Sequence, residues 1–287
     1  MNDHVSSPRI SGAAGFALAI LTALIVLGVP GPETLAPEGQ RMAAIFAVVL
    51  VLWVTEAVPV AVTALLAVVL QPMFRVGDLP TAFSTFISPV FFFVLAMFVI
   101  AQAFISSGLD RRFALWLLDK AGTDSRRVVL VFMGGTALVS TIMSDVPATA
   151  IFMAVSLGLL EKMGLTPGKS SFAKALMIGI PFAALIGGVA TPAGSSINIL
   201  GIFFIQEYGD VTVRFLDWMV IGIPMVLVML PVSVWVLLRW YPPEMTTVTA
   251  VGDVPSERAQ LGPVTAKEWR VLAILATMIV LWILSTW

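Results

Sequence analysis

The sequence contains no cysteine, which excludes a disulfide framework and a thiolate metal centre. Its single histidine is His4, in a polar N-terminal tail. Imidazole catalysis and His-rich metal binding therefore have no residue outside that tail to work with. Charge is scarce: 11% of the 287 residues are Asp, Glu, Lys or Arg, against roughly 25% in soluble domains. The formal net charge is −1, so there is no basic field to draw in a nucleic acid. What is present is apolar. Hydrophobic residues make up 59% of the chain and the mean hydropathy is +1.01. Long runs of this kind need lipid as their solvent.

A transmembrane helix needs about 20 apolar residues. Gly12 to Val29 supplies one, read as a retained first span because no A-x-A-like cleavage site follows it. After polar residues 30–40, Arg41 to Pro72 is too long for one span. It is interrupted at Thr55-Glu56-Ala57-Val58-Pro59, where Pro59 lacks a helix donor, so two shorter helices are predicted. Pro89 to Ile105 is a fourth span. Leu109 to Gly122 mixes Arg111, Arg112, Asp119 and Lys120 with Phe113, Leu115, Trp116, Leu117 and Leu118. That pattern predicts an amphipathic helix along the membrane surface. Val128 to Leu160 is apolar but broken by Ser144-Asp145-Val146-Pro147. Phe172 to Gln206 is broken by Thr191-Pro192-Ala193-Gly194-Ser195-Ser196. Phe215 to Leu238 is unbroken, Arg239 to Lys267 is a polar connector, and Trp269 to Trp287 is a last span. The expected fold class is all-α, a polytopic membrane protein.

Lys and Arg set the orientation. Residues 106–127 hold Arg111, Arg112, Lys120, Arg126 and Arg127. Residues 161–174 hold Lys162, Lys169 and Lys174, and Arg239, Arg258, Lys267 and Arg270 flank the connector. Residues 206–215 carry Glu207, Asp210 and one arginine, Arg214. The first three segments are expected in the cytoplasm with the N-terminus, and the last outside. Both ends of Val128 to Leu160 then share a side. Its arms, Val128 to Met143 and Ala148 to Leu160, read as shorter than the ~17 residues a span needs. A re-entrant hairpin, 126–162, with its tip inside the bilayer is expected.

The last span resembles the second. With Arg41 set against Arg270, Ala44, Ile45, Ala47, Val51, Leu52 and Trp53 match Ala273, Ile274, Ala276, Val280, Leu281 and Trp282. The two run in opposite directions in the expected topology, as inverted repeats do. The expected organisation is a tail and first transmembrane helix (1–40), then a first transport repeat (41–241) holding the hairpin and a broken helix (172–206). A cytoplasmic connector (242–266) and the first helix of a second, truncated repeat (267–287) follow.

Breaks at membrane depth are costly, because freed backbone groups must be satisfied by protein, water or ions. One cluster is Ser140, Thr141, Ser144, Asp145 and Thr149. The other runs Thr191-Pro192-Ala193-Gly194-Ser195-Ser196-Ile197-Asn198. At a hairpin tip, an ending helix offers carbonyls to a cation and a beginning helix offers N–H groups to an anion. Asp145 is an intramembrane carboxylate and so a candidate cation ligand or proton carrier. Ser144 and Asp145 can equally cap the second half-helix, with Pro147 in its first turn. Glu56 reads as a wet helix end and Gln102 as an interhelical hydrogen bond. Gly134, Gly135, Gly158, Gly179, Gly187 and Gly188 read as helix-packing positions. Trp53, Trp116, Trp218, Trp235 and Trp240 read as interfacial anchors. Gly164 to Ser170 imitates a phosphate loop but is one residue short and follows a helix. It is rejected, and ATP-driven transport with it.

Two of these segments resemble a known family. Trp53-Val54-Thr55-Glu56-Ala57-Val58-Pro59 is similar to the W-x-T-E-A-[IV]-P segment of divalent anion:sodium symporters. Gly187-Gly188-Val189-Ala190-Thr191-Pro192-Ala193-Gly194-Ser195-Ser196-Ile197-Asn198 is similar to their G-G-[IV]-x-T-P-x-G-[ST]-P-P-N loop. Where that family has Ser-Asn-Thr at the hairpin tip, this sequence has Ser144-Asp145-Val146. The resemblance implies Na⁺-coupled movement of dicarboxylates, citrate or sulfate by a homodimer through an elevator motion, with no cofactor beyond Na⁺. It implies Na⁺ ligation by Ser140, Ser144, Asp145, Thr191, Gly194 and Asn198. It implies an anion near Ser144, Asp145, Val146, Ser195 and Ser196. The alternative is a related arsenite permease or a cation/proton antiporter with Asp145 carrying the proton. A membrane-embedded enzyme lacks a catalytic dyad here.

Overall fold

The structure, a computed structural model, describes residues 12–32, 35–87, 89–165, 168–248 and 254–284. The polar tail with His4, the middle of the connector (249–253), residues 166–167 of the phosphate-loop-like segment and the last three residues lie outside the described residues. Every regular element among the described residues is helical, with one isolated bridge between Asp124 and Thr247. Among the described residues, five helices are long and apolar enough to cross a membrane: Pro37–Thr55, Val90–Ser107, Ser125–Met143, Ser171–Gly188 and Phe215–Trp240. The chain is an integral, all-α, polytopic membrane protein.

The chain divides into two compact units, Met1–Phe91 and Phe92–Trp287. In the first, α1 (Gly12–Gly28) packs on α2 (Pro37–Thr55), and the Gln40 amide donates to the carbonyls of Val26 and Val29 at 3.0 and 2.7 Å. The expected break follows α2. Glu56 turns left-handed at φ 49°, is exposed, and Pro59 precedes α3 (Val60–Met73). A short helix, α4 (Leu79–Phe86), was not expected. Asp78 starts it by accepting a hydrogen bond from the Thr81 N–H at 3.0 Å.

α5 (Pro89–Ser107) leads into the second unit, which continues with α6 (Leu109–Ala121), α7 (Ser125–Met143), α8 (Asp145–Lys162) and α9 (Ser171–Gly188). A 3₁₀ turn (Pro192–Gly194) precedes α10 (Ser196–Gly209), α11 (Phe215–Trp240), α12 (Val254–Gln260) and α13 (Ala266–Leu284). Only Ser144 separates α7 from α8. The chain reverses there, because the Phe132 and Phe152 rings meet edge-on at 6.1 Å. The core is Phe132, Phe152, Phe172, Met133, Leu176 and Ile180, all fully buried where α7 packs against α8 and α9.

Several expectations change. The hairpin arms are 19 and 18 residues long, so short arms no longer argue for a re-entrant loop. The apolar count missed their ends: Asp124 caps α7 by accepting the Arg127 N–H at 2.9 Å, and α8 starts at Asp145 itself. The apolar face of α6 lies on protein, since Leu109, Leu115, Leu117 and Leu118 are buried in the α7–α9 core. Gly135, Gly179, Gly187 and Gly188 sit at close contacts, but Gly134 and Gly158 face open space. Gln102 donates to Ser106 on its own helix at 2.9 Å, not to another helix.

The described parts of the connector are held in place by hydrogen bonds. Ser125 donates from its N–H to Thr246 and from its hydroxyl to Met245, and the Val248 N–H reaches Thr123. Glu244 takes the Phe172 N–H at 2.9 Å at the start of α9. Burial pushes that carboxyl up, but hydrogen bonds from the Ser170 hydroxyl and the neighbouring backbone outweigh it and hold it below the usual carboxylate range. α2 and α13 are each 19 residues and begin at positions that the Arg41/Arg270 alignment equates.

Candidate functional site

The two polar breaks meet. At the end of α7, the buried Ser140 hydroxyl donates to the Ala184 carbonyl of α9 at 2.6 Å. The Thr191 hydroxyl donates across to the Thr141 carbonyl at 2.5 Å and accepts the Gly194 N–H at 3.1 Å. The Asn198 amide nitrogen donates to the Gly188 and Thr191 carbonyls at 2.7 and 2.9 Å. Its amide oxygen is free of those bonds. Thr191, Ser195 and Asn198 are all buried. Glycine is required in the middle, because a Cβ on Gly194 would overlap the Gly188 backbone, with its carbonyl carbon at 2.9 Å. The chain thus folds a loop back on its own helix end, and side chains satisfy the backbone groups that the break frees.

At the tip, Ser144 has φ 76°, a left-handed strain that only surrounding packing can hold. Its hydroxyl donates to Asp145 Oδ1 at 3.0 Å, and the Val146 N–H donates to the same oxygen at 2.9 Å. The Ser195 hydroxyl reaches Asp145 Oδ2 at 3.3 Å. One carboxylate therefore joins the hairpin to the broken helix. The simple capping alternative changes form, since Ser144 caps nothing with its side chain and the backbone N–H that the Asp145 carboxylate takes is that of the next residue. The donors expected for an anion at the start of α8 are depleted. Val146 gives its N–H to Asp145, and Pro147 has none. The Val146 side chain points outward, 63% exposed, and Ser196 is exposed as well. Ser144, Asp145, Val146 and Ser196 line a cavity of about 60 Å³ whose other wall is Phe93, Val94, Met97 and Phe98.

Among the described residues, no three His, Cys, Asp or Glu side chains come together as a metal cluster. The donors available to a cation are hydroxyls, carbonyls and one carboxylate, a set of hard oxygens that suits an alkali ion.

Trp218 belongs to this site and was read from sequence as an anchor only. Its indole N–H donates to the Val189 carbonyl at 2.9 Å, and Gly222, one turn on, lets α11 close on that backbone, with the Ala190 carbonyl 2.9 Å from a Cβ position. An aromatic four residues before a glycine was the available signal. Trp218→Phe is expected to lower stability by about 1 kcal/mol, a typical net hydrogen bond. Thermal unfolding in detergent measures it; an unchanged midpoint would make the bond idle.

Residues 12–286 match the family model described as the transmembrane region of sodium:sulfate symporters. A Cupriavidus necator protein called "Membrane protein" is 29% identical over 97% of this chain and 57% of its own length. The sodium-dependent dicarboxylate transporter SdcS of Staphylococcus saprophyticus is 29% identical over 96% of this chain and 55% of its own. SdcS of Staphylococcus aureus strain RF122 is 30% identical over 79% and 45%. The chain spans about half the length of the curated relatives it matches.

Proposed function

We propose a function from one premise: the chain belongs to the sodium:sulfate symporter family. It forms the first repeat of an ion-coupled secondary transporter for small divalent anions, dicarboxylates first and citrate or sulfate as the related class. It works in a bacterial plasma membrane as a homodimer with the N-terminus cytoplasmic. Residues 41–241 are the repeat, with α7 and α8 as a re-entrant hairpin, and α13 opens an inverted second copy. The names of the staphylococcal relatives and the register shared by α2 and α13 support this.

The observation that carries the site is the Asp145 carboxylate held between Ser144 and Ser195, across two helix breaks. Na⁺ binds there through Ser140, Ser144, Asp145, Thr191, Gly194 and Asn198, and the anion lies beside it toward Val146, Ser195 and Ser196. With Val146 N–H taken and Pro147 donorless, this tip favours the cation over the anion. A ligand that binds only the folded state raises its stability by mass action. NaCl, against choline chloride at equal ionic strength, is therefore expected to raise the melting point of the purified chain. Asp145→Asn keeps an oxygen but removes the charge, and is expected to weaken the apparent Na⁺ affinity about tenfold. Equal affinities in the two proteins would remove Asp145 from the site.

A carboxylate where the resembling family has asparagine also favours a second reading, an arsenite permease or antiporter with a proton carried on Asp145. Uptake driven by a pH jump, with no response to a Na⁺ gradient, would select it.

A further inference from the structure

We propose that the groove between α9 and α11 binds one anionic phospholipid. The two helices run antiparallel: Leu237 lies against Gly179 near one end, and Trp218 against Val189 near the other. Along this seam runs an apolar cleft of about 450 Å³, walled by Ile178, Phe182 and Ile186 on α9 and by Met229, Val236 and Leu237 on α11. It opens outward, with Phe182 57% and Met229 45% exposed. In a bilayer an open apolar cleft of this size is filled by lipid chains.

Length and charge identify which lipid. From Lys174 to Ile186 the α9 stripe rises about 18 Å at ~1.5 Å per residue. One leaflet of the ~30 Å hydrocarbon core is about 15 Å deep. At the end of the stripe, α11 finishes at Trp240, followed by Tyr241, residues that favour the headgroup level. Lys174 stands one turn before Ile178, and Arg239 three residues after Val236, so both are helical neighbours of groove residues. Neither side chain has an ion pair or hydrogen-bond partner among the described residues. The acid nearest in sequence, Glu244, is engaged by Ser170 and Phe172.

Two other clefts lack this combination. In the cleft between α6 and α8, Arg111 and Lys162 are both paired with Glu257. The cleft at the far end of α11 is lined by one charged residue, Asp217, which repels an anion. Among the described residues, the α9–α11 groove joins a leaflet-long apolar stripe to two cations without a partner. The lipid rests on the helix that carries the broken loop, ending at Ile186 beside Gly187, and so braces the frame of the site.

The test uses native mass spectrometry of the purified, delipidated chain with equimolar phosphatidylglycerol and phosphatidylcholine. The wild type is expected to retain one phosphatidylglycerol in preference. Lys174→Gln with Arg239→Gln is expected to weaken that retention about 30-fold, the loss of two cations at a charged headgroup. Ser233→Phe fills the groove and is expected to expel both lipids without touching the cations. Equal retention of the two lipids, no retention by the wild type, or unchanged phosphatidylglycerol binding by the double variant would overturn the proposal.

Discussion

Gly187→Val is expected to abolish the folded state, whereas Gly134→Ala is expected to leave it intact. The two glycines read alike in the sequence. In the structure a Cβ on Gly187 overlaps the Ala137 backbone, its carbonyl oxygen and Cα as well as the carbonyl carbon at 2.6 Å. Backbone cannot rotate aside as a side chain can, so α7 and α9 must separate along their whole contact. Both flank the fully buried Phe132, Met133, Leu176 and Ile180. Separation loses that packing together with the Ser140–Ala184 and Thr191–Thr141 bonds. A loss above about 4 kcal/mol follows, at the exceptional end for one substitution. Gly134 meets nothing within 4 Å, so alanine gains roughly 0.5–1 kcal/mol of helix preference there. Monodispersity in mild detergent and the thermal midpoint are the measurements. A Gly187→Val midpoint within a few degrees of wild type would refute the close approach.

That pair shows where the sequence was readable. Breaks in apolar runs are written in residue type, because prolines, serines and threonines in a lipid-soluble helix need a reason. The interruptions after Thr55, at Ser144 and from Thr191 to Ser196 accordingly fall where expected. Helix ends were less readable, since Ser125, Arg126, Arg127, Glu161 and Lys162 look like loop by hydropathy yet belong to α7, which Asp124 caps, and to α8. Which glycine meets a neighbour depends on which face is turned inward, and nothing local distinguishes Gly134 from Gly135. The polar residues of the two breaks were legible by type. What joins them was not legible: Asp145 takes the Val146 N–H, and Trp218 reaches Val189 from 29 residues away. The least legible contact is Arg112 with Glu268, 156 residues apart.

Arg112 counted in the sequence only as one cytoplasmic charge. In the structure its guanidinium donates to both oxygens of Glu268, at 2.7 and 3.2 Å, and to the carbonyls of Leu261, Gly262 and Pro263. The Glu268 side chain is 4% exposed. It also accepts the Thr265 N–H at 2.6 Å while the Thr265 hydroxyl accepts the Glu268 N–H at 3.2 Å, a capping box at the start of α13. One arginine thus fastens α6, the connector turn and α13. Arg112→Met keeps most of the side-chain volume but leaves the buried carboxylate and three carbonyls without their shared donor. Removing one partner of a buried pair costs about 3–5 kcal/mol. The variant is expected to melt well below wild type and to expose the connector to protease near Leu261. Arg112→Met with Glu268→Met removes both charges and is expected to recover most of the loss, short of the carbonyl bonds and the capping box. A double variant no more stable than Arg112→Met would mean that the carbonyl grips, not the ion pair, hold the connector. A stable Arg112→Met would mean that neither does.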